Sequence, residues 1–177
     1  MRKMRRSDRA TTAEKAWEIL EKAEYVTLSM MGAEGVPYGV TLSFARVGES
    51  LYFHCANEGY KLDSLRKNPA VCVNAVYQQR TKAEEFTVAF ESAVAFGKAA
   101  EVTQQEEKVQ GLLAICKKYA PENTGAAAYI AQYPQVSVWR IDVSELSGKI
   151  HDKTPIDPRR GLCYNKPRRN TERWSSG

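Results

Sequence analysis

The chain has 177 residues, of which 43% are hydrophobic, and a formal net charge of +5 at pH 7. This length and composition predict one globular domain with its own core. Apolar runs stay well short of the roughly 20 residues that a membrane span requires, which argues against a membrane protein. The basic N-terminus is not followed by an apolar stretch, so we expect no signal peptide.

The basic charge is concentrated at the two ends of the chain. Residues 1–9 carry a net charge of +4 and residues 149–177 a net charge of +5, whereas residues 10–148 carry −4. A nucleic-acid-binding domain would usually spread basic residues over its folded surface. We therefore expect solvated basic tails rather than a nucleic-acid-binding protein, and binding through the tails is the alternative.

The cysteines are scattered along the chain and lie in no metal-binding or redox motif. They are Cys55, Cys72, Cys116 and Cys163. This spacing argues against both a zinc site and a disulfide scaffold, so no metal is expected. Free thiols are typical of a cytoplasmic protein.

The first half of the chain predicts one helix followed by three strands. A capping-box pattern from Thr11 to Glu14, with apolar residues at helical spacing after it, predicts a helix that ends near Glu24. Alternating residues then predict a hairpin and a third strand. These strands are expected at Tyr25–Met31, Val36–Ala45 and Leu51–Cys55.

The second half predicts longer strands and two more main helices. A short helix should end near Lys67, before Pro69 stops it. A second capping box at Thr103–Glu106 should open a helix that ends before Pro121. The remaining expected elements are a strand at Ala70–Tyr77, a polar loop at Gln78–Glu84, a strand at Phe86–Val102 with a bend at Gly97, a short helix at Ala126–Gln132 and a last strand at Gln135–Val143.

Six strands with helices mostly at the hairpin ends predict a mainly β, α+β fold: a small six-stranded antiparallel barrel with helical insertions. We expect residues 1–150 to form this domain. Residues 151–177 are proline-rich, basic and without periodicity, and they predict an arm or a disordered tail. The chain has no G-x-G-x-x-G sequence, so a Rossmann nucleotide site is unsupported.

The segment from Leu51 to Leu62 predicts a site for an anion beside a flat ring. His54 lies at the end of an apolar strand, and Gly59-Tyr60-Lys61 follows at a predicted helix start. Backbone N–H groups at a helix start attract phosphate, and a lysine adds full charge. A solvated Lys61 and an idle surface His54 are the alternatives.

Three other residues invite a functional interpretation. Ser92 is a polar residue among apolar ones, and it is either an outward hydroxyl or a ligand contact. Trp139 is a core residue, a dimer contact or a cofactor contact. Cys55 follows His54 directly, and strand neighbours point to opposite faces, so the two cannot form a Cys–His nucleophile pair.

Several motifs together carry a family resemblance over about residues 4–150. They are Met4-Arg5-Arg6-x-Asp8-Arg9, the strand Tyr38 to Phe44, Tyr52-Phe53-His54-x-Ala56-x-Glu58-Gly59-x-Lys61, Asn68-Pro69-x-Val71-Cys72, Glu91-Ser92-x-x-x-Phe96-Gly97-Lys98-Ala99, and Trp139-Arg140-Ile141-Asp142 running to Gly148-Lys149. The chain resembles the FMN-binding split-barrel superfamily named for pyridoxamine 5′-phosphate oxidase. Within it, the chain is most similar to the nitroimidazole-resistance (Nim-type) branch.

The resemblance implies a six-stranded split β-barrel that forms a homodimer and holds two FMN molecules in clefts between the subunits. His54 would be the catalytic residue, beside the flavin ring on the substrate side, and Lys61 would bind the phosphate. Ser92 would be a further phosphate contact, and Trp139 would approach from the partner subunit. The other implied cofactor-binding residues are Val40, Thr41, Leu42 and Ala56.

The chain departs from true pyridoxamine phosphate oxidases at two places. Their Arg-Lys pair is Tyr60-Lys61 here, and their closing Arg-Leu-x-Pro is missing. We therefore expect an FMN-dependent oxidoreductase that reduces a small acceptor, such as a nitroaromatic of the 5-nitroimidazole type. The alternative is a non-catalytic flavin-binding protein for storage or sensing. The sequence does not identify the electron donor.

Overall fold

The computed structural model describes residues 4–132 and 135–152. In these ranges the elements are β1 (Ala10–Thr11), α1 (Ala13–Lys22), β2 (Val26–Met31), β3 (Pro37–Leu42), β4 (Ala45–Val47), β5 (Ser50–Cys55), α2 (Tyr60–Lys67), β6 (Ala70–Lys82), β7 (Thr87–Glu101), α3 (Gln105–Tyr119), α4 (Ala126–Gln132) and β8 (Ser137–His151). Short 3₁₀ turns lie at Ser7–Arg9 and Ala83–Glu85. None of the helices in this part of the chain is long and apolar enough to span a membrane.

The strands form one antiparallel sheet in the order β3-β2-β6-β7-β8-β5-β4, and β1 pairs with β8. Strands β3 and β4 lie at the two ends of this order and do not pair with each other, so the sheet is not closed. An antiparallel sheet with several helices is the predicted α+β split-barrel fold, which is therefore confirmed. The described residues contain eight strands rather than the predicted six. The two additional strands, β1 and β4, have 2 and 3 residues, which is too short for an alternating pattern to be visible in the sequence.

Two strands run further than predicted because they pair with β7. The predicted loop Gln78–Glu84 lies largely in β6, which pairs with the Thr87–Glu91 part of β7 after a bulge. Likewise, β8 continues past Val143 to His151. Backbone hydrogen bonding to a neighbouring strand overrides the polar composition of both segments. Residues 153–177, which hold nearly all of the predicted arm, lie outside the described residues.

The helix starts differ from the predicted capping boxes. Thr12, not Thr11, caps α1, and its hydroxyl accepts a hydrogen bond from the backbone N–H of Lys15 at 3.3 Å. Thr11 instead pairs with Gly148 in the sheet. At α3 the capping residue is Gln104, and its side chain makes no capping hydrogen bond. Sheet pairing and the local turn decide these caps, and neither is encoded in the four-residue pattern.

Two clusters of buried side chains cover the two faces of β5. The larger cluster fills the space between the sheet and α1 and α2, and Phe53 of β5 lies in it with 0% of its surface exposed. The smaller cluster lies between α3 and the other face of β5, and it contains Tyr52, Leu112 and Val138. Any residue of β5 on the Tyr52 face therefore points towards α3.

Candidate functional site

His54 lies near the end of β5, opposite Val138 of β8. It shares the Tyr52 face of the strand, as its alternation with Phe53 predicts. Its side chain is exposed, but part of it faces a cavity rather than bulk solvent. It forms part of the wall of a cavity of about 570 Å³.

The cavity lies between the end of β5 and the pair of helices α3 and α4. Its wall comprises His54, Cys55, Ala56, Asn57, Leu112, Ile115, Cys116, Tyr129, Ile130, Gln132, Gln135 and Val136. Ala56, predicted as a cofactor contact, therefore lies beside His54 at this wall. The helical half of the wall was not foreseen. The capping box predicted α3 but not the face of the helix that lines this wall: Leu113 is 38% exposed, whereas Ile115 is buried.

The cavity wall encloses part of the imidazole of His54, although the residue as a whole is exposed. This partial loss of solvent lowers the pKa of the imidazole below the ordinary value of 6.5, and the positive charge of Lys61 lowers it further. Both effects disfavour the charged form of a histidine. The ring is therefore mainly neutral at pH 7, where it can donate a hydrogen bond from one nitrogen and accept one at the other.

Lys61 lies in the first turn of α2 as a cation without an anionic partner. The side chain is half-buried, and its Nζ lies 5.3 Å from the centroid of the Phe53 ring. It makes no hydrogen bond or ion pair with any residue in the described ranges. The N-cap residue Gly59 has a φ of +126°, no side chain caps the helix, and a Cβ added at Gly59 would meet no heavy atom within 4 Å. An open helix start without a side-chain cap and a cation with no partner among the described residues together fit a phosphate.

Contacts to the β2–β3 turn fix the position of this helix start. Ser64, which is fully buried, donates a hydrogen bond to the carbonyl of Tyr60 at 2.6 Å and accepts one from the N–H of Ala33 at 3.0 Å. The hydroxyl of Tyr60 donates to Glu34 at 2.8 Å, and its ring packs edge-on against Tyr38. Tyr60 thus has a structural role at the position where true oxidases of the resembled family have arginine.

The predicted flavin contacts Val40, Thr41 and Leu42 lie on β3, an edge strand. Thr41 is exposed, whereas Val40 and Leu42 are half-buried against the larger cluster. Within the described residues β3 pairs with β2 alone. One row of its backbone N–H and C=O groups is therefore free to meet a ligand or a second subunit.

Ser92 and Trp139 do not join these residues within one subunit. Ser92 pairs with Lys149 of β8, nine residues along β7 from Glu101, which pairs with Trp139. At the usual rise of a strand this is roughly 30 Å. Trp139 is 2% exposed and stacks on Phe53 at 6.4 Å inside its own subunit. Trp139 is therefore a core residue of its own subunit, and its contact with a partner's cofactor stays a prediction.

A metal is not supported by the described part of the chain. No group of three or more His, Cys, Asp or Glu side chains there lies close enough together to hold an ion. Cys55, Cys72 and Cys116 are free thiols. Their surroundings are half-buried, and burial raises the pKa of Cys55 and Cys72.

Comparison with known proteins gives the family. A sequence profile described as pyridoxamine 5′-phosphate oxidase matches residues 12–150. The chain belongs to this flavin-binding family. The resemblance drawn from the motifs is therefore confirmed at the level of the family, and the match covers α1 to nearly the end of β8. No curated protein sequence matches the chain significantly.

Solved structures share the fold at low sequence identity. A candidate 5-nitroimidazole antibiotic resistance protein from Bacteroides thetaiotaomicron matches with a TM-score of 0.67 and 24% identity over 80% of this chain and 86% of that chain. A FAD-binding protein from Mesorhizobium loti matches with a TM-score of 0.62 and 22% identity, over 81% and 98%. The FAD and heme binding protein from Mycobacterium smegmatis gives 0.65 and 18%, over 84% and 76%.

Proposed function

We propose that this protein is a cytoplasmic, FMN-dependent oxidoreductase that passes electrons from a reduced donor to a small acceptor such as a nitroaromatic. When bound, the flavin supplies the redox chemistry, and the protein supplies position and electrostatics. The observation that carries the proposal is Lys61, a half-buried cation without a partner in the described residues, at an uncapped helix start. Membership of a flavin-binding family supports the proposal that this anion is the flavin phosphate.

The proposed role of His54 follows from its place and its charge. It lies at the end of β5, at the wall of the cavity. A neutral imidazole there can donate a hydrogen bond to an oxygen of the acceptor that gains negative charge during reduction. Lys61 anchors the cofactor and takes no part in the electron transfer.

The proposed protein is a homodimer. The open row of backbone groups on β3, with Val40, Thr41 and Leu42, needs a partner to be covered. Large apolar side chains are also exposed on the sheet and its turns: Val36 is 60% exposed, Val76 is 51% exposed and Phe86 is 98% exposed.

The phosphate assignment predicts the effect of Lys61→Ala. A hydrogen bond to a charged group contributes about 1.5–3 kcal/mol, so the variant should bind FMN one to two decades more weakly. Riboflavin, which lacks the phosphate, should bind the variant and the parent about equally. Both affinities can be measured by quenching of flavin fluorescence on titration with protein.

Lys67→Ala is the matched control for this variant. Lys67 lies in the last turn of the same helix and donates a hydrogen bond to the carbonyl of Ala33 at 2.6 Å, so its loss removes the same charge without touching the helix start. FMN affinity should be little changed. If Lys61→Ala binds FMN as tightly as the parent, or if both flavins weaken together, the phosphate lies elsewhere.

A further inference from the structure

The wall of the cavity beside His54 has an unusual chemical character. Its larger part is apolar and comes from Leu112, Ile115, Ile130 and Val136. The polar lining side chains include the amides of Asn57, Gln132 and Gln135, two thiols and the imidazole. Within residues 4–132 and 135–152, no Asp, Glu, Lys or Arg lines the cavity.

The cavity is a fixed feature because α3 is anchored at both ends. Near its start, Glu107 accepts hydrogen bonds from the hydroxyl of Tyr52 at 2.9 Å and from Arg140 at 2.6 Å. At its end, the hydroxyl of Tyr119 donates to the carbonyl of Glu24 at 2.6 Å and accepts from the N–H of Phe44 at 3.0 Å. The helix therefore cannot move inwards onto β5 and close the space without breaking these bonds.

We propose that this cavity binds the electron acceptor, and that it takes an uncharged ring compound and rejects a phosphorylated or carboxylated one. Its volume of about 570 Å³ lies within the usual range for small-molecule pockets. A carboxylate or phosphate placed there would lose part of its hydration, and none of the described lining residues is a lysine or arginine that could pair with it, which is unfavourable. An uncharged ring buries apolar surface against this wall, and its nitro or carbonyl oxygen can accept a hydrogen bond from the side-chain amides or from His54.

This inference rests on the proposed function, since it identifies the acceptor of the same site. It also narrows it. The phosphorylated amine for which the family is named does not fit a wall without positive charge. Specificity of this kind depends on what the site leaves unpaired as much as on what it contacts.

The first test compares two nitroaromatic probes of similar size, of which one is uncharged and the other an anion. In the flavin-loaded protein without any electron donor, 4-nitrobenzyl alcohol should bind at least tenfold more tightly than 4-nitrobenzoate, measured by equilibrium dialysis. Equal binding of the two probes, or tighter binding of the carboxylate, would overturn the proposal.

The thiols provide a test of location. Cys55 and Cys116 line the cavity, whereas Cys72 is half-buried on β6 outside it. Saturating 4-nitrobenzyl alcohol should slow alkylation of Cys55 and Cys116 by N-ethylmaleimide severalfold and leave Cys72 unchanged, as followed by peptide mass spectrometry. Absence of protection, or equal protection of all three, would place the ring elsewhere.

A variant that fills the cavity with a larger side chain completes the test. Cys116→Phe should occupy the cavity and weaken binding of 4-nitrobenzyl alcohol at least tenfold. Leu113→Phe adds a ring on the exposed side of the same helix and should bind like the parent. If Cys116→Phe does not fold, the thiol protection of the parent protein decides alone. Unchanged binding in a folded Cys116→Phe protein would contradict the proposal.

Failure of this inference can be told apart from failure of the proposed function. The dialysis is repeated on flavin-free protein, where the uncharged probe should still bind whether or not FMN does. A protein that binds the probe but never binds FMN would refute the oxidoreductase and leave the cavity's preference for uncharged rings standing. If added FMN displaces the probe competitively, the cavity belongs to the cofactor and the inference is overturned.

Discussion

His54→Ala is expected to leave the flavin content nearly intact and to lower reduction of a nitro compound by about 10²-fold, the usual size of one acid–base or hydrogen-bond contribution to catalysis. The side chain lies at the cavity wall, on the face of β5 opposite Phe53 and Lys61. Its contact is therefore with the acceptor, where charge develops in the transition state, rather than with the flavin phosphate.

His54→Gln is the matched control, because a side-chain amide also donates a hydrogen bond but does not gain or lose a proton in the accessible pH range. The lowered pKa of His54 means that the ring gains a proton only as the pH falls below the ordinary value of 6.5. If the neutral ring is the donor, the rate should not change with pH above pH 7 through the titration of His54. His54→Gln should then retain substantial activity. If the charged form were required, the rate would fall as the pH rises through that lowered pKa, and glutamine would not restore it.

Turnover and flavin occupancy must be measured on the same preparation, with NAD(P)H as the first donor to try. Full activity in flavin-loaded His54→Ala protein would remove the histidine from the mechanism, and loss of flavin would mean that it packs the cofactor. No turnover in the parent protein with any donor would favour the alternative of a flavin-binding protein for storage or sensing.

Gly97→Ala is expected to destabilise the fold by about 3 kcal/mol or more, the upper range for overpacking in a well-packed region. Gly97 lies where the pairing of β7 with β8 shifts register after Phe96. A Cβ atom there would lie 2.2 Å from the carbonyl oxygen of Asp142 and 3.2 Å from the Cα of Val143. Both atoms belong to the backbone of β8, so the clash cannot be relieved by rotating a side chain.

Gly39→Ala is the control for this variant. Gly39 also lies in a strand, but a Cβ there would meet its nearest neighbours at 3.7 Å, an ordinary contact. It should be neutral or slightly stabilising, since alanine restricts the unfolded chain more than glycine does. Urea unfolding of the flavin-free proteins measures both changes. Equal stability of Gly97→Ala and the parent would show that the register shift relaxes.

The sequence predicted the fold well where apolar residues recur at helical spacing or alternate with polar ones along a strand. Helix α1, the hairpin of β2 and β3 and the position of β5 follow from local patterns and are confirmed by the structure. At Gly97, where a bend was predicted, the structure has a continuous strand with a register shift in its pairing to β8. The length of β6 and β8 could not be predicted, because their polar ends are held by backbone hydrogen bonds to β7. A partner strand distant in sequence leaves no local signal.

The site was predictable in part, for the same reason. His54 lies at the end of one strand and Lys61 at the start of the following helix, and local sequence encodes both positions. The apolar wall from Leu112, Ile115 and Ile130 comes from helices about 60 residues away, and only the packing of α3 on β5 brings it there. The sequence left the role of Trp139 open, because a strand tryptophan has the same local pattern whether it faces a core or a ligand.

The central claim is that this chain holds FMN as a dimer. The most direct test is size-exclusion chromatography of the protein after incubation with FMN, with absorbance recorded at the protein and flavin wavelengths. We predict one peak at twice the mass of a single chain, carrying one FMN per chain. A colourless peak at the mass of one chain, with all FMN eluting later as the free compound, would contradict the account.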